Sequence, residues 1–216
     1  MAVALFDVDD TIVDGACAII YAKYLYKKKA LNLSFLVKVH LYLLYYMLLA
    51  RLNRLNIKKI EEKWFKELSS KISVDEALHL GRQCFEEEIK PKIYREVLPI
   101  IKKHAERGDR IVLISNSPKF LIEQLANHLN IKEFYGTDFV CENNRFKSIK
   151  QPYCFGEGKA KIIKKSSLDL KNSYAYSDSI HDLPLLEMIK YPNVVNPDRR
   201  LRNIALKREW PIHNFR

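Results

Sequence analysis

Two aspartates stand where this chain is best placed to do chemistry. They are Asp7 and Asp9, in the run Ala2-Val3-Ala4-Leu5-Phe6-Asp7-Val8-Asp9-Asp10-Thr11. Side chains alternate along a strand, so carboxylates at i and i+2 project together from the strand's carboxyl end. In open α/β sheets that edge is where ligands bind. Two carboxylates there can hold a hard cation and divide nucleophilic and acid–base work between them. Taken alone, the same stretch also fits an acidic loop that caps a helix or faces water.

Three later segments add to it. Arg110-Ile111-Val112-Leu113-Ile114 is a second apolar strand run, ending in Ser115-Asn116-Ser117-Pro118. Gly156-Glu157-Gly158-Lys159 opens a helical stretch. Tyr174-Ala175-Tyr176-Ser177 is a third strand run, followed by Asp178-Ser179-Ile180-His181-Asp182. In this order the segments resemble the four motifs of the haloacid dehalogenase (HAD) superfamily: DxDxT, a strand ending in Ser or Thr, a lysine at a helix start, and a strand ending in DxxxD. The resemblance runs from Ala2 to about Pro197.

The resemblance and the residue types together imply a Mg²⁺-dependent phosphatase. Asp7 is the expected nucleophile, giving an aspartyl-phosphate that water then hydrolyses. Asp9 is the expected general acid for the leaving oxygen and then the base for the water. Its presence favours phosphoryl transfer over dehalogenation, since the dehalogenases of the superfamily lack it. Mg²⁺ suits an all-oxygen site, with Asp7 and Asp178 as carboxylate ligands; the family pattern adds the main-chain carbonyl of Asp9. Ser115 and Asn116 are expected to bind the substrate phosphate, aided by the helix starting near Pro118. Lys159 supplies a fixed cation to the phosphoryl group and to Asp7. Asp182 is expected to orient Lys159 or reach the metal's waters. Thr11 is a supporting residue that bonds backbone in the turn, and His181 faces solvent.

These residues need a scaffold. The alternation of strand and helix argues an α/β fold, a doubly wound parallel sheet with helices on both faces. Roughly a hundred residues separate the first two motifs, where one crossover needs a few dozen. The excess, 15–95, reads as helices at 16–29, 33–55, 57–71 and 74–88, with an exit at Pro91. An all-helical insertion here resembles the C1 cap of HAD subclass IB, the phosphoserine-phosphatase-like group. The catalytic core is then 1–14 and 96–216. Within it the sequence predicts a helix over 96–107 and another over 118–129 capped by Ser117. A hairpin of 138–141 with 145–147 follows, then helices after Gly158, over 183–190 and from Arg199, with a short strand at 194–195.

Composition narrows the class. With 48% hydrophobic and 29% charged residues, the chain is an ordinary globular one. Cys17, Cys84, Cys141 and Cys154 are widely spaced, which reads as reduced thiols in the cytoplasm rather than a disulfide framework or zinc site. The N-terminus lacks a basic region, and its aspartates interrupt the apolar run, so it does not read as a signal peptide. Net charge is +11, with nine Lys/Arg and no Asp or Glu between Gly15 and Ile60. Such a stretch attracts phosphate-bearing partners or is merely a solvated basic face. No DNA- or RNA-binding motif is present, so nucleic acid is not the expected partner.

The substrate is less legible. Phosphoserine phosphatases carry a Glu about nine residues after the nucleophile to read the substrate's amine; this chain has Ala16 there. Residues 30–50 contain one charge, Lys38, and are long enough for a membrane span. A single crossing would part Asp7 from Ser115 and Asp178, so no transmembrane span is expected. Helix 33–55 is then either buried in the cap or lies in a membrane interface with its lysines on the headgroups. The second alternative resembles the bacterial phosphatidylglycerophosphate phosphatases of the same subclass, which share the run from Tyr176 to Leu186, and implies a lipid phosphate and a peripheral position at the inner membrane face. A phosphorylated small molecule remains the other substrate class. A catalytically idle anion- or nucleic-acid-binding scaffold and a phosphoacceptor module stay open until turnover is measured.

Overall fold

The computed structural model describes residues 2–35, 37–38, 41, 70–166 and 168–215. Six parallel strands form the central sheet: β1 (Val3–Phe6), β2 (Arg110–Pro118), β3 (Glu133–Thr137), β6 (Tyr174–Ser177), β7 (Tyr191–Val195) and β8 (Ile212–His213). Their order is β3-β2-β1-β6-β7-β8. The chain winds outward from β1 to β2 and β3, then returns beside β1 at β6 and winds the other way. The strand order therefore reverses between β1 and β6, the place where a doubly wound sheet opens a ligand crevice. Asp7 follows β1 and Asp178 follows β6, so both aspartates arrive at that crevice.

All four residues of β1 are buried, as a central parallel strand requires. Alternate side chains feed two cores. Ala4 and Phe6 join Leu113 and Tyr176 on one face. Val3 and Leu5 join Val112, Ile114 and Ala175 on the other. The first face is covered by α1 (Cys17–Lys27), α2 (Val74–Cys84), α3 (Val97–Glu106) and α4 (Lys119–His128). The second is covered by α5 (Glu157–Lys165), α6 (Leu183–Leu186) and α7 (Arg199–Lys207).

The chain leaves the sheet at 12–14 and rejoins it at 92–94 through a paired neck. Asp14 N–H donates to the Lys92 carbonyl at 2.8 Å, and Tyr94 N–H to the Ile12 carbonyl at 2.9 Å. Between these points, Tyr21 on α1 donates its hydroxyl to the Ala77 carbonyl of α2 at 2.7 Å. Ser73 caps α2 by accepting from Glu76 N–H, with Asp75 and Glu76 in the first turn. The hairpin of β4 (Phe139–Glu142) and β5 (Arg145–Ile149) turns on Asn143 and Asn144, both with positive φ, the conformation tight two-residue hairpins demand. Asn144 then meets the start of α2, bonding Asp75 through both its amide oxygen and its amide nitrogen.

Several elements depart from the sequence expectation. The helix expected over 74–88 ends at Cys84, passes into a wider π turn at Phe85–Ile89 and closes in a 3-10 turn at Lys90–Lys92. The helix expected over 183–190 is only four residues long, preceded by a 3-10 turn at Ile180–Asp182. Strand β7 is longer than 194–195, and β3 and β8 were not anticipated. Most of the helix expected over 33–55, and all but the last two residues of that expected over 57–71, lie outside the described residues; residues 33–35, 37–38 and 41 are helical, and 70–71 form a turn.

Candidate active site

Beyond Phe6 the backbone stays paired for one more residue, as Asp7 N–H donates to the Tyr176 carbonyl at 2.9 Å. It then turns: Thr11, Ile12 and Val13 all donate to the Val8 carbonyl. Asp10 takes a left-handed φ of 56° in this turn, and its carboxylate accepts from Gly15 N–H at 2.9 Å. The turn thereby fixes Asp7 inward and Asp9 toward β2.

Asp7 is buried, and its carboxylate accepts from Lys159 Nζ at 2.5 Å. The same ammonium donates to Asp182 at 2.7 Å, and Asp182 also accepts from the Ser177 hydroxyl at 2.8 Å. Lys159 reaches the cluster from the first turn of α5. The chain before it packs so closely that a Cβ on Gly158 would stand 1.7 Å from the Tyr153 carbonyl oxygen. Only glycine fits at that position.

The charge balance of this interior is uneven. Asp7 and Asp182 share one ammonium, and Asp178 lies in contact with Asp7. Burial pushes the Asp7 carboxyl well above its ordinary range; Lys159 pulls it back, but Asp182, Asp178 and Asp9 push it up again. Burial likewise raises the Asp178 carboxyl to about 7, opposed by its contact with Asp7 and reinforced by Asp10. Lys159 is the converse. Burial works against its charge, yet Asp7 and Asp182 hold the ammonium protonated beyond the usual lysine range. The Asp178 Oδ1 atom is buried with no hydrogen-bond partner. An orphaned carboxylate oxygen beside excess negative charge fits a hard divalent cation. Among the described residues no three His, Cys, Asp or Glu side chains gather as a metal cluster. Asp7 and Asp178 are the carboxylates that could face such a cation.

Asp9 is held in a second network. It accepts from Ser115 Oγ at 2.8 Å, from Ser117 Oγ at 2.9 and 3.0 Å, and from Cys17 N–H at 2.6 Å. Strand β2 makes this possible through an irregularity: Ile114 to Pro118 pairs with only Tyr135 to Thr137 of β3, which re-aims the serines. Ser115, expected on phosphate, is therefore beside the carboxylates with its hydroxyl on Asp9. Asn116 is exposed, and its carbonyl accepts from the Thr137 hydroxyl at 2.5 Å. Thr11 is buried, but its hydroxyl has no partner, unlike the backbone bond expected of it; only its N–H bonds the turn. His181 is exposed, as expected.

Sequence reasoning missed Ser117, Ser177 and the start of α1. Pro118 made Ser117 read as a helix cap. Instead its hydroxyl leaves α4 uncapped, bonds Asp9 and accepts from Ala18 N–H at 3.1 Å. The usable signal was its spacing: Ser115 and Ser117 stand i, i+2 at a strand end, as Asp7 and Asp9 do.

A parallel sheet that reverses between the strands bearing Asp7 and Asp178, with a buried lysine bridging Asp7 and Asp182, defines a doubly wound α/β protein with an acidic crevice. The model of the haloacid dehalogenase-like hydrolases matches residues 4–187, and the chain belongs to that family. A phosphoserine phosphatase of Mycobacterium tuberculosis is 30% identical over 224 residues, covering 100% of this chain and 71% of that protein. Another protein of that organism, named a probable phosphatase, is 28% identical, covering 98% of this chain and 75% of the other. A Bordetella pertussis structure of unknown function superposes with a TM-score of 0.82 at 24% identity, over 98% of this chain and 97% of its own.

Proposed function

We propose that this chain is a Mg²⁺-dependent phosphatase that hydrolyses phosphate monoesters through an aspartyl-phosphate on Asp7. One observation carries the reading: the buried Asp7 carboxylate, clamped by Lys159, beside the unpartnered oxygen of Asp178. Asp7, Asp178 and the Asp9 carbonyl would hold Mg²⁺, whose charge offsets the repulsion between a carboxylate and an anionic ester. Asp7 forms its O–P bond as the ester O–P bond breaks. Asp9 turns off Ser115 and Ser117 to deliver a proton to the leaving oxygen. It then takes a proton from the water that attacks phosphorus, which breaks the Asp7–phosphorus bond and frees inorganic phosphate. Lys159 holds Asp7 in place and neutralises the transferring group. Ser115, released by Asp9, and the neighbouring Asn116 would bind the phosphate oxygens.

Residues 15–95 are best read as an inserted cap over this crevice, hinged at the paired neck. Phosphoserine is a poor candidate substrate, since Ala16 stands where an amine-reading acid is expected. The four cysteines are free, which suits a reducing, cytoplasmic setting. A second reading, a lipid phosphate at a membrane surface, is favoured by one feature. Leu33, Val37 and Leu41 are exposed one helical turn apart, beside Lys38 and the Lys27-Lys28-Lys29 run. No helix among the described residues is long and apolar enough to cross a membrane.

Phosphate release separates these readings. It is measured with and without Mg²⁺ on phosphoserine, on soluble esters and on phosphatidylglycerophosphate in mixed micelles, with Asp7→Asn as the blank. The expected result is Mg²⁺-dependent release that Asp7→Asn abolishes. Preference for the lipid supports the membrane reading, and preference for a soluble ester the first. Release by Asp7→Asn at the native rate would sink the mechanism.

A further inference from the structure

A groove of about 530 Å³ lies between α1 and the turn at 88–92, floored by the Asp10–Ala16 loop. That volume suits a small-molecule group. Its inner end adjoins the site, because Asp10 and Ala16 line it and Cys17, next to Ala16, donates its N–H to the Asp9 carboxylate at 2.6 Å. An ester with its phosphorus at Asp7 can therefore extend its leaving group past Asp10 into this space. The middle of the groove is apolar, walled by Ala16, Ile19 and Ile20.

The charges around the groove are not equally committed. Glu88 is paired with Lys27 at 2.8 Å. Asp10 accepts from Gly15 N–H, and Asp14 accepts from the Tyr94 hydroxyl at 3.4 Å. Lys23 on α1 and Lys92 on the facing turn both line the groove, and among the described residues neither side chain has an ion pair or hydrogen bond. Lys23 and Lys92, one on each wall, are thus the lining charges left without a partner, while Asp10 and Asp14, held by neutral donors, keep their negative charge at the floor.

Resting on the phosphatase reading above, we infer that Lys23 and Lys92 form a subsite for a second anionic group, carboxylate or phosphate, on the leaving alcohol of the substrate. An ammonium group placed between Lys23 and Lys92 would meet two cations. A neutral alkyl group would leave both lysines unused.

Four propyl esters of one length test this: propyl phosphate, 3-aminopropyl phosphate, 3-phosphooxypropanoate and propane-1,3-diyl bisphosphate. The expected kcat/KM is about tenfold higher for the two anionic esters than for propyl phosphate, the scale of one hydrogen bond to a charged group. The carboxylate and bisphosphate arms show which anion is preferred. In Lys23→Gln the anionic-to-neutral ratio falls about tenfold, mainly through KM; Lys23→Arg retains it, and Lys92→Gln lowers it. Equal rates in the native protein, preference for the aminopropyl ester, or a ratio that neither Gln variant moves would overturn the subsite. Calorimetric binding of the bisphosphate and propyl phosphate to Asp7→Asn gives a readout without turnover. Lys23-dependent preference for the bisphosphate with no hydrolysis of any ester retains the subsite and rejects the phosphatase. Hydrolysis with unmoved ratios does the reverse.

Discussion

The interior around Lys159 and the groove beside Lys23 are two basic sites built on opposite terms. Lys159 is buried and locked by two carboxylates, and its own helix is seated by a glycine that tolerates no side chain. Lys23 is exposed, on the open face of α1, with no ionic partner among the described residues. In the first region every charge is spoken for except one oxygen of Asp178, so geometry is fixed before any substrate arrives. In the second, charge is left free for a ligand to satisfy. Under the proposed function and subsite, chemistry and selectivity are separated, and changes in the two regions should have different signatures.

The largest effect is expected from Lys159→Ala. It removes the ammonium shared by the buried Asp7 and Asp182 carboxylates, so phosphate release should fall by about 10²–10³-fold. Stability should also fall, by about 3–5 kcal/mol, because buried carboxylates lose their partner; denaturant unfolding reads it. Gly158→Ala comes next. Its Cβ must displace the Tyr153 backbone and shift the start of α5, costing about 1–3 kcal/mol and lowering activity by moving Lys159. Ser117→Ala frees one side of Asp9 and should lower kcat about tenfold, as expected for loss of a hydrogen bond to a charged group, with KM nearly unchanged. Lys23→Gln should be smallest on stability, with no measurable change in melting temperature, while altering the choice among esters. A fall in melting temperature like that of Lys159→Ala would erase the contrast between the regions.

Much of the site was legible because its parts sit at strand ends. Apolar runs before Asp7, Ser115 and Asp178 mark buried parallel strands, and the sheet's reversal brings their ends together. Lys159 was legible from Gly156 and Gly158, the punctuation of a tight helix entry. Other features depend on tertiary contact. Strand β3 carries Glu133-Phe134-Tyr135-Gly136-Thr137, without a continuous apolar run, and its pairing with β2 defines it. The re-aiming of Ser117 follows from that irregular pairing, and its trace in the sequence is the i, i+2 spacing from Ser115. The early end of α2 at Cys84 has no local signal, since the buried Phe85 and Ile89 stand i, i+4, the spacing an ordinary helix would also satisfy. The short α6 begins within Leu183-Pro184, where proline fits only a first turn.

The most direct measurement is trapping of the phosphoenzyme. Native protein and Asp7→Asn are mixed with a ³²P-labelled monoester and Mg²⁺ and quenched in acid within one turnover, and the labelled peptide is identified. The account predicts a hydroxylamine-labile label on the peptide containing Asp7 in the native protein and none on Asp7→Asn, with both proteins equally folded. Label on another residue, or native turnover by Asp7→Asn, would contradict it.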